Sequence, residues 1–300
     1  MEDIKNHPLY RKHDIDSALS SLWQFYKSNF VTLFILSAIM SLVTQYIAAS
    51  INLQELQQLA FSDPGAALEE LKKNFMVPGI IIFAVSLIFT LIIQHYIIYK
   101  PLGMSLMNSL LNSLKYFPVF IILMILMLFF VAFALMVGIL ALIIGVFFTA
   151  LYALVIYLFI LPVMMVEGPH IGSIISRSFG LAHRSFWPNM GWSAVLIILV
   201  IVISVVLSGI IALPFAGSLF KSVFSQDPSA AVEMAKNPVF IILSSLAGAL
   251  TTPLLPIFSC ILYFNARARE DESTKIVVNE EFRPTIDDLY SKPRDPETGN

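Results

Sequence analysis

The chain of 300 residues is 58% hydrophobic and 13% charged, with a mean hydropathy of +0.83. Soluble domains carry about 25% charged residues, so the composition excludes a soluble globular domain and predicts an all-α membrane protein. The net charge of -2 comes with few and scattered basic residues, which gives no footing for nucleic acid, and the single cysteine, Cys260, excludes an internal disulfide or a Cys-x-x-Cys metal site.

Residues 1–29 are polar and carry Lys5, Arg11, Lys12 and Lys27. The apolar run beginning at Phe30 is too long for a signal-peptide core and is read as a retained first span. A hydrocarbon core about 30 Å thick needs roughly 20 apolar residues in helix. Five runs meet that length, at 30–51, 77–98, 118–166, 191–213 and 239–264. The third has 49 residues without a charge, enough for two crossings, 118–137 and 141–164, joined by a tight turn near Gly138 and Ile139. The result is a polytopic protein with six transmembrane helices. Residues 265–300 are expected to form a polar, disordered tail.

An even number of spans puts both ends on one side. Segments 1–29, 99–117, 167–190 and 265–300 hold 4, 2, 2 and 6 Lys+Arg, whereas 52–76 and 214–238 hold 2 each. That bias, fourteen against four, predicts cytoplasmic termini in a bacterial inner membrane.

The segments on the basic side resemble one another. In "SALSSLWQFYKSNF" (17–30), "SLMNSLLNSLKYF" (105–117) and "SIISRSFGLAHRSF" (173–186), a serine precedes Lys27, Lys115 and His183 by ten residues, and each stretch runs into a span. All three have helical apolar periodicity, which predicts amphipathic helices along the membrane surface. Two outer loops, 61–74 and 224–237, also match at a constant offset of 164: Asp63/Asp227, Pro64/Pro228 and Glu69/Glu233. The chain therefore reads as three repeats, each an amphipathic helix followed by a transmembrane hairpin.

Helices in lipid associate through small residues and a few hydrogen bonds. Two stripes at four-residue spacing qualify: Ala141, Gly145, Thr149 and Ala153, and Ser204, Ser208, Ala212 and Ala216. Helix packing is the expected role, with a hydroxyl-lined pore as the alternative. Pro162, Pro253 and Pro256 are expected to kink the fourth and sixth spans. The sixth, with Thr251-Thr252 before its prolines, is the one expected to unwind, and such a segment must face protein or water.

Chemistry-bearing groups are few. No charged residue falls inside a span, so carboxylate relays are absent from the sequence. Gln94-His95 reads as an interfacial anchor beside Tyr96 and Tyr99, or as a ligand or proton site. His7, His13, His170 and His183 lie in surface segments without carboxylates at ligand spacing. Glu167 is expected to cap the following helix or to pair with an arginine. Cys260 is expected to be buried and inert. No metal, cofactor or catalytic residue is implied.

Arg177 and Arg184, seven residues apart on the polar face of the third amphipathic helix, point to a structural anchor or to capture of anionic lipid headgroups. Lys27, Lys115, Arg267 and Arg269 join them as candidate headgroup ligands. The order "LPVMMVEG…SIISRSFGLAHRSFW" followed by "ILYFNARARE" resembles the membrane domain attached to some bacterial glycerophosphoryl diester phosphodiesterases. The resemblance rests on Glu167, Gly168, Arg177, Ser178, Trp187, Tyr263, Arg267 and Arg269. It implies a membrane module whose catalytic domain is absent, and it carries no catalytic residue across.

These readings lead to an expected non-enzymatic integral membrane protein that contacts lipids or a membrane-protein partner, or forms a homo-oligomer. A channel or transporter for a small uncharged or lipidic solute is the alternative. A polar cavity reaching the midplane would favour transport, and a dry bundle the module.

Overall fold

The computed structural model describes residues 2–51, 65, 69, 71–140, 142–217, 220 and 233–281. Its elements are helical, and no strand occurs among the described residues. A 3-10 turn at Glu2–Asn6 leads to α1 (Ile15–Ser28), α2 (Phe30–Ala49) and α3 (Val77–Tyr99). Then come α4 (Leu106–Ser113), α5 (Phe117–Leu140), α6 (Leu142–Glu167) and α7 (Ile171–Arg184). The last are α8 (Phe186–Ala212), α9 (Pro238–Thr251) and α10 (Leu254–Glu281). Six helical stretches are long and apolar enough to cross a membrane, beginning at Phe30, Asn74, Leu106, Ile144, Phe186 and Pro238. The predicted six spans are therefore present among the described residues; α1 and α7 each precede a pair of them, and α4 is continuous with the third. The outer-loop residues that supply the 164-residue offset lie largely outside the described residues.

Local sequence sets the helix ends. Asp14 begins α1 with a capping box: its carboxylate accepts from Ser17 N–H at 2.8 Å, and the Ser17 hydroxyl accepts from Asp14 N–H at 3.0 Å. Gly168, at φ +114°, turns the chain from α6 into α7.

α5 continues to Leu140 and α6 begins at Leu142, so the expected turn at Gly138 is not observed and Gly138 remains helical. Gly138 does something else. A Cβ there would overlap the Thr149 hydroxyl and stand 2.9 Å from the Gly145 carbonyl oxygen, so its bare backbone lets α5 and α6 touch. Two members of the predicted stripe, Gly145 and Thr149, lie against Gly138, and Ala153 is buried. Ala141 lies outside the described residues. On the other side of the bundle, α2 and α9 meet at Ser41, whose Oγ would stand 3.0 Å from a Cβ on Gly248, and Ser245 donates to the Ser41 carbonyl at 3.4 Å.

The core is centred on α10. Phe258, Tyr263 and Phe264 are fully buried against Ile156 and Phe159 of α6 and Ile93 and Ile97 of α3. Two expectations change here. The predicted polar tail is helical as far as Glu281, because α10 continues unbroken past Phe264 and its next turns are pinned by Lys5, Tyr10 and Lys12 through Asp271 and Glu272. Residues 282–300 lie outside the described residues. The amphipathic helices also differ from one another. The apolar faces of α1 and α7 are covered by protein, with Ala18, Leu22, Ile174, Leu181 and Ala182 buried. α4 instead turns Met107 and Leu111 outward and buries Ser109 and Ser113. Periodicity marks an apolar face but not which apolar medium covers it.

The sixth span is broken, as its prolines predict. α9 ends at Thr251, and α10 begins at Leu254. Pro253 and Pro256 then fall at the start and in the first turn of α10, where an N–H has no helical acceptor to lose. Pro162, in contrast, sits inside a continuous α6.

Candidate functional site: a cavity at the broken sixth span

The break opens a cavity of about 520 Å³ among four elements. α6 supplies Leu154, Tyr157, Leu158 and Leu161, whose 3-1-3 spacing lies along one helical face. α3 supplies Thr90, Ile93 and Gln94, and α8 supplies Leu196, Ile197, Val200 and Ile201. Thr251, Thr252, Leu255, Pro256 and Ser259 come from the break and the start of α10. Ile201 is exposed on the outside of the bundle as well, so the mouth of the cavity lies beside α8.

Most of the polar groups in this wall are already engaged. Thr251 and Thr252 both donate to the Gly248 carbonyl, at 3.2 and 2.7 Å, and Ser259 donates to the Leu158 carbonyl at 2.6 Å. Gln94 donates to the Cys260 sulfur at 3.0 Å. Tyr157 lines the cavity, and its hydroxyl forms no hydrogen bond with any described residue. None of the described lining residues is charged. Such a chamber suits an apolar or weakly polar molecule, and its volume falls in the range of about 300–1,000 Å³ common to ligand pockets.

A second cavity of about 270 Å³ follows the first along α8 and shares Thr251 with it. Gln45, Ser204, Ser208 and Ser244 bring polar groups to its wall. Two of the serines predicted to be packing residues, Ser204 and Ser208, therefore line a cavity. Ala212, one turn further, is half-buried.

The charged residues gather elsewhere, around Glu167 and Glu270. Arg177 donates to Glu167 at 3.1 Å and also pairs with Glu270. Arg184 meets Glu270 at 2.7 Å, and Arg267 lies 3.3 Å from Glu270 and 3.8 Å from Glu167. Tyr263 donates its hydroxyl to Glu167 at 2.9 Å. The Glu270 carboxylate, hydrogen-bonded to Arg177, holds that guanidinium well above its ordinary pKa. Of the two roles expected for Glu167, pairing is the one observed. α7 has no side-chain cap.

The candidate headgroup ligands are thus engaged within the protein. Arg177, Arg184 and Arg267 serve carboxylates. Arg269 donates to Asn265 and to the His13 carbonyl, each at 3.3 Å. Lys27 lies 5.2 Å over the Trp23 ring, and Lys115 donates to Asn112 at 2.7 Å. Phe179 packs on Phe130, whereas Trp187, just beyond α7, is 72% exposed. The arginine spacing was legible, but their partner Glu270 lies 93 residues from Arg177, beyond the reach of any local pattern.

Two histidines expected at the surface are buried. His7 accepts the Leu9 N–H on Nδ1 at 3.1 Å, which leaves its proton on Nε2 to donate to the Ile97 carbonyl at 3.1 Å. Burial pushes this imidazole down to about 4 and lowers His13 as well. Gln94 and His95 are no interfacial anchor either. Both are buried, with the His95 ring 4.4 Å from Tyr99.

Among the described residues, six helical stretches long and apolar enough to cross a membrane, four of which line an uncharged cavity, point to a multi-pass membrane protein. Comparison with protein-family models, curated proteins and solved structures finds no match.

Proposed function

We propose that the chain is a non-enzymatic bacterial inner-membrane protein, with both termini cytoplasmic and three tandem units, that takes an uncharged lipidic molecule into the cavity at the broken sixth span. One observation carries this reading: a chamber of about 520 Å³ with aliphatic walls and an uncommitted Tyr157 hydroxyl, inside helices that lipid surrounds. Lipid is the molecule nearest to hand at that depth, and no described lining residue would compensate a charge there. Headgroup capture by Arg177 and Arg184 is not part of the proposal, since Glu167 and Glu270 engage both. The resemblance to the phosphodiesterase-associated membrane domain is retained in it. Supporting that, Glu167, Arg177, Tyr263 and Arg267, four of the residues that carry it, meet in one cluster.

The test fills the chamber. Val200→Trp should reduce the neutral lipid that co-purifies with the folded protein, measured by native mass spectrometry, and an unchanged amount would refute the reading. Transport of such a molecule is the second reading. It is favoured by the two cavities that succeed each other along α8, and movement of a fluorescent neutral lipid across proteoliposomes would distinguish passage from retention.

A further inference from the structure

Among the described residues of the first cavity, Thr251, Thr252, Ser259 and the Gln94 amide nitrogen are engaged, while Thr90, Tyr157 and the Gln94 amide oxygen are not; in the second, every described polar side chain but Thr251 is uncommitted. Serine and threonine inside membrane helices normally satisfy their hydroxyls on a carbonyl three or four residues back. Thr44, Thr149, Ser245 and Thr252 do this here. Ser204, Ser208 and Ser244 do not, and neither they nor the Gln45 amide form a hydrogen bond with any described residue. Four uncommitted hydrogen-bonding groups from α2, α8 and α9 line one cavity.

Position gives the cavity its meaning. Gln45 lies in the last turns of α2, Ile211 is the penultimate residue of α8, and Phe240 is in the first turn of α9. Three spans begin or end at this level, which is where hydrocarbon gives way to headgroups. The first cavity occupies the α8 wall from Leu196 to Ile201 and the second from Ser204 to Ile211. At a rise of 1.5 Å per residue the two together run about 22 Å along the helix, with the apolar chamber deep and the hydroxyl-rich one at the rim. This is the polarity of a lipid lying lengthwise.

We propose that the second cavity is a headgroup subsite for an uncharged, hydroxyl-bearing lipid of the diacylglycerol or glycosyl-diacylglycerol kind, whose chain occupies the first cavity. The proposal rests on the lipid-binding reading of that first cavity. The chemistry selects the headgroup. A phosphate calls for guanidinium or ammonium donors, and no described residue lining this cavity is charged. Three hydroxyls and a primary amide, each both donor and acceptor, match a polyol instead.

The experiment uses the full-length protein in detergent, offered dioleoylglycerol, its monoglucosyl derivative and dioleoylphosphatidylglycerol at equal concentration, with adducts counted by native mass spectrometry. The uncharged lipids should bind in preference to phosphatidylglycerol. Binding of the glucosyl lipid above dioleoylglycerol assigns the subsite to a sugar, and equal binding assigns it to the glycerol hydroxyl. Ser204→Ala with Ser208→Ala and Ser244→Ala should lower binding of the uncharged lipids about tenfold, the scale of a few neutral hydrogen bonds lost together. Equal binding of all three lipids by the unaltered protein overturns the subsite, as does a triple variant that keeps the preference. Val200→Trp separates the two levels of the argument. If it abolishes binding while the triple variant keeps its preference, the chain cavity stands and the headgroup subsite falls. If it leaves binding unchanged, both fall. Val200→Phe replaces it should the tryptophan lower the melting temperature.

Discussion

Tyr26, in α1, donates its hydroxyl to the carbonyl of Leu250, in the last turn of α9, at 3.0 Å. The break at Thr252 and Pro253 leaves that carbonyl without the amide four residues on that would normally serve it. An amphipathic helix therefore closes a hydrogen bond that the broken span cannot close for itself. In hydrocarbon such a bond has no water to replace it.

Tyr26→Phe keeps the ring and removes the donor. The loss of one hydrogen bond and the orphaned carbonyl should cost about 1–3 kcal/mol. Amide exchange around residues 249–255 should quicken while α5 and α6 are unaffected. Exchange that stays as slow as in the unaltered protein would show that Tyr26 does not hold the break.

At the charged end, Glu270→Gln removes the carboxylate that Arg184 pairs with and leaves Arg177 and Arg267 sharing Glu167. Glu270 is 14% exposed, so screening by solvent discounts the loss to about 1–3 kcal/mol. Arg184→Gln, at a side chain 52% exposed, should cost less than about 0.5 kcal/mol. Thermal melting in detergent checks the order of the two, and a larger effect at Arg184 would contradict it.

Gly138 and Gly209 make a controlled pair. A Cβ on Gly138 meets Thr149 and the Gly145 backbone, whereas nothing lies within 4 Å of one on Gly209. Gly138→Ala should destabilise by about 1–3 kcal/mol through overpacking. Gly209→Ala should be neutral or stabilise by up to about 1 kcal/mol, the helix preference for alanine. Equal melting temperatures for the two variants would remove the close contact from the account.

Much of this was legible in the sequence, and the reasons for the rest are physical. Five apolar runs, one of them long enough for two crossings, and the prolines of the sixth span determine crossings and a break, because length and the missing proline N–H act locally. The stripe through Gly145 and Thr149 marks a packing face, but the position that needs no side chain opposite it, Gly138, reads like a turn glycine until the partner helix is in place. The cavity was half visible. Thr251-Thr252 is flagged by its prolines, while Thr90 and Tyr157 reach the same chamber from helices 67 residues apart in the chain. Nothing local distinguishes their polar atoms from ordinary ones in a span. The arginines of α7 look like headgroup ligands for the same reason, since Glu270 sits in a stretch whose polarity suggested disorder.

Acid should loosen the N-terminal segment. The buried His7 titrates at about 4, below the ordinary histidine value of 6.5, so between these limits the unfolded chain holds the extra proton. Its contribution is fully present above pH 6.5 and is lost as pH falls toward 4, a loss on the order of 3 kcal/mol. Melting temperature should decline over that window, and less steeply in His7→Phe, with His13 supplying part of the remaining slope. A decline of equal steepness in the variant would assign the effect to other groups.

The proposed orientation is checked by reporters. A fusion after Lys115 or Glu272 should be cytoplasmic, and one inserted at Ser62 or Ser225 should be outside. A periplasmic signal from the position after Glu272 would reverse the arrangement.

α10 runs without interruption from Leu254 at the cavity to Glu270 among the arginines. Sixteen residues of helix make a rod about 24 Å long, pivoted at a turn that Pro253 keeps free of the helical ladder. A tilt of about 5° at the pivot would move the far end by about 2 Å, given that length, which is more than a hydrogen bond to Arg177 or Arg184 can tolerate. The helix is thus a single rod with the chamber at one end and the ionic cluster of Glu270 at the other.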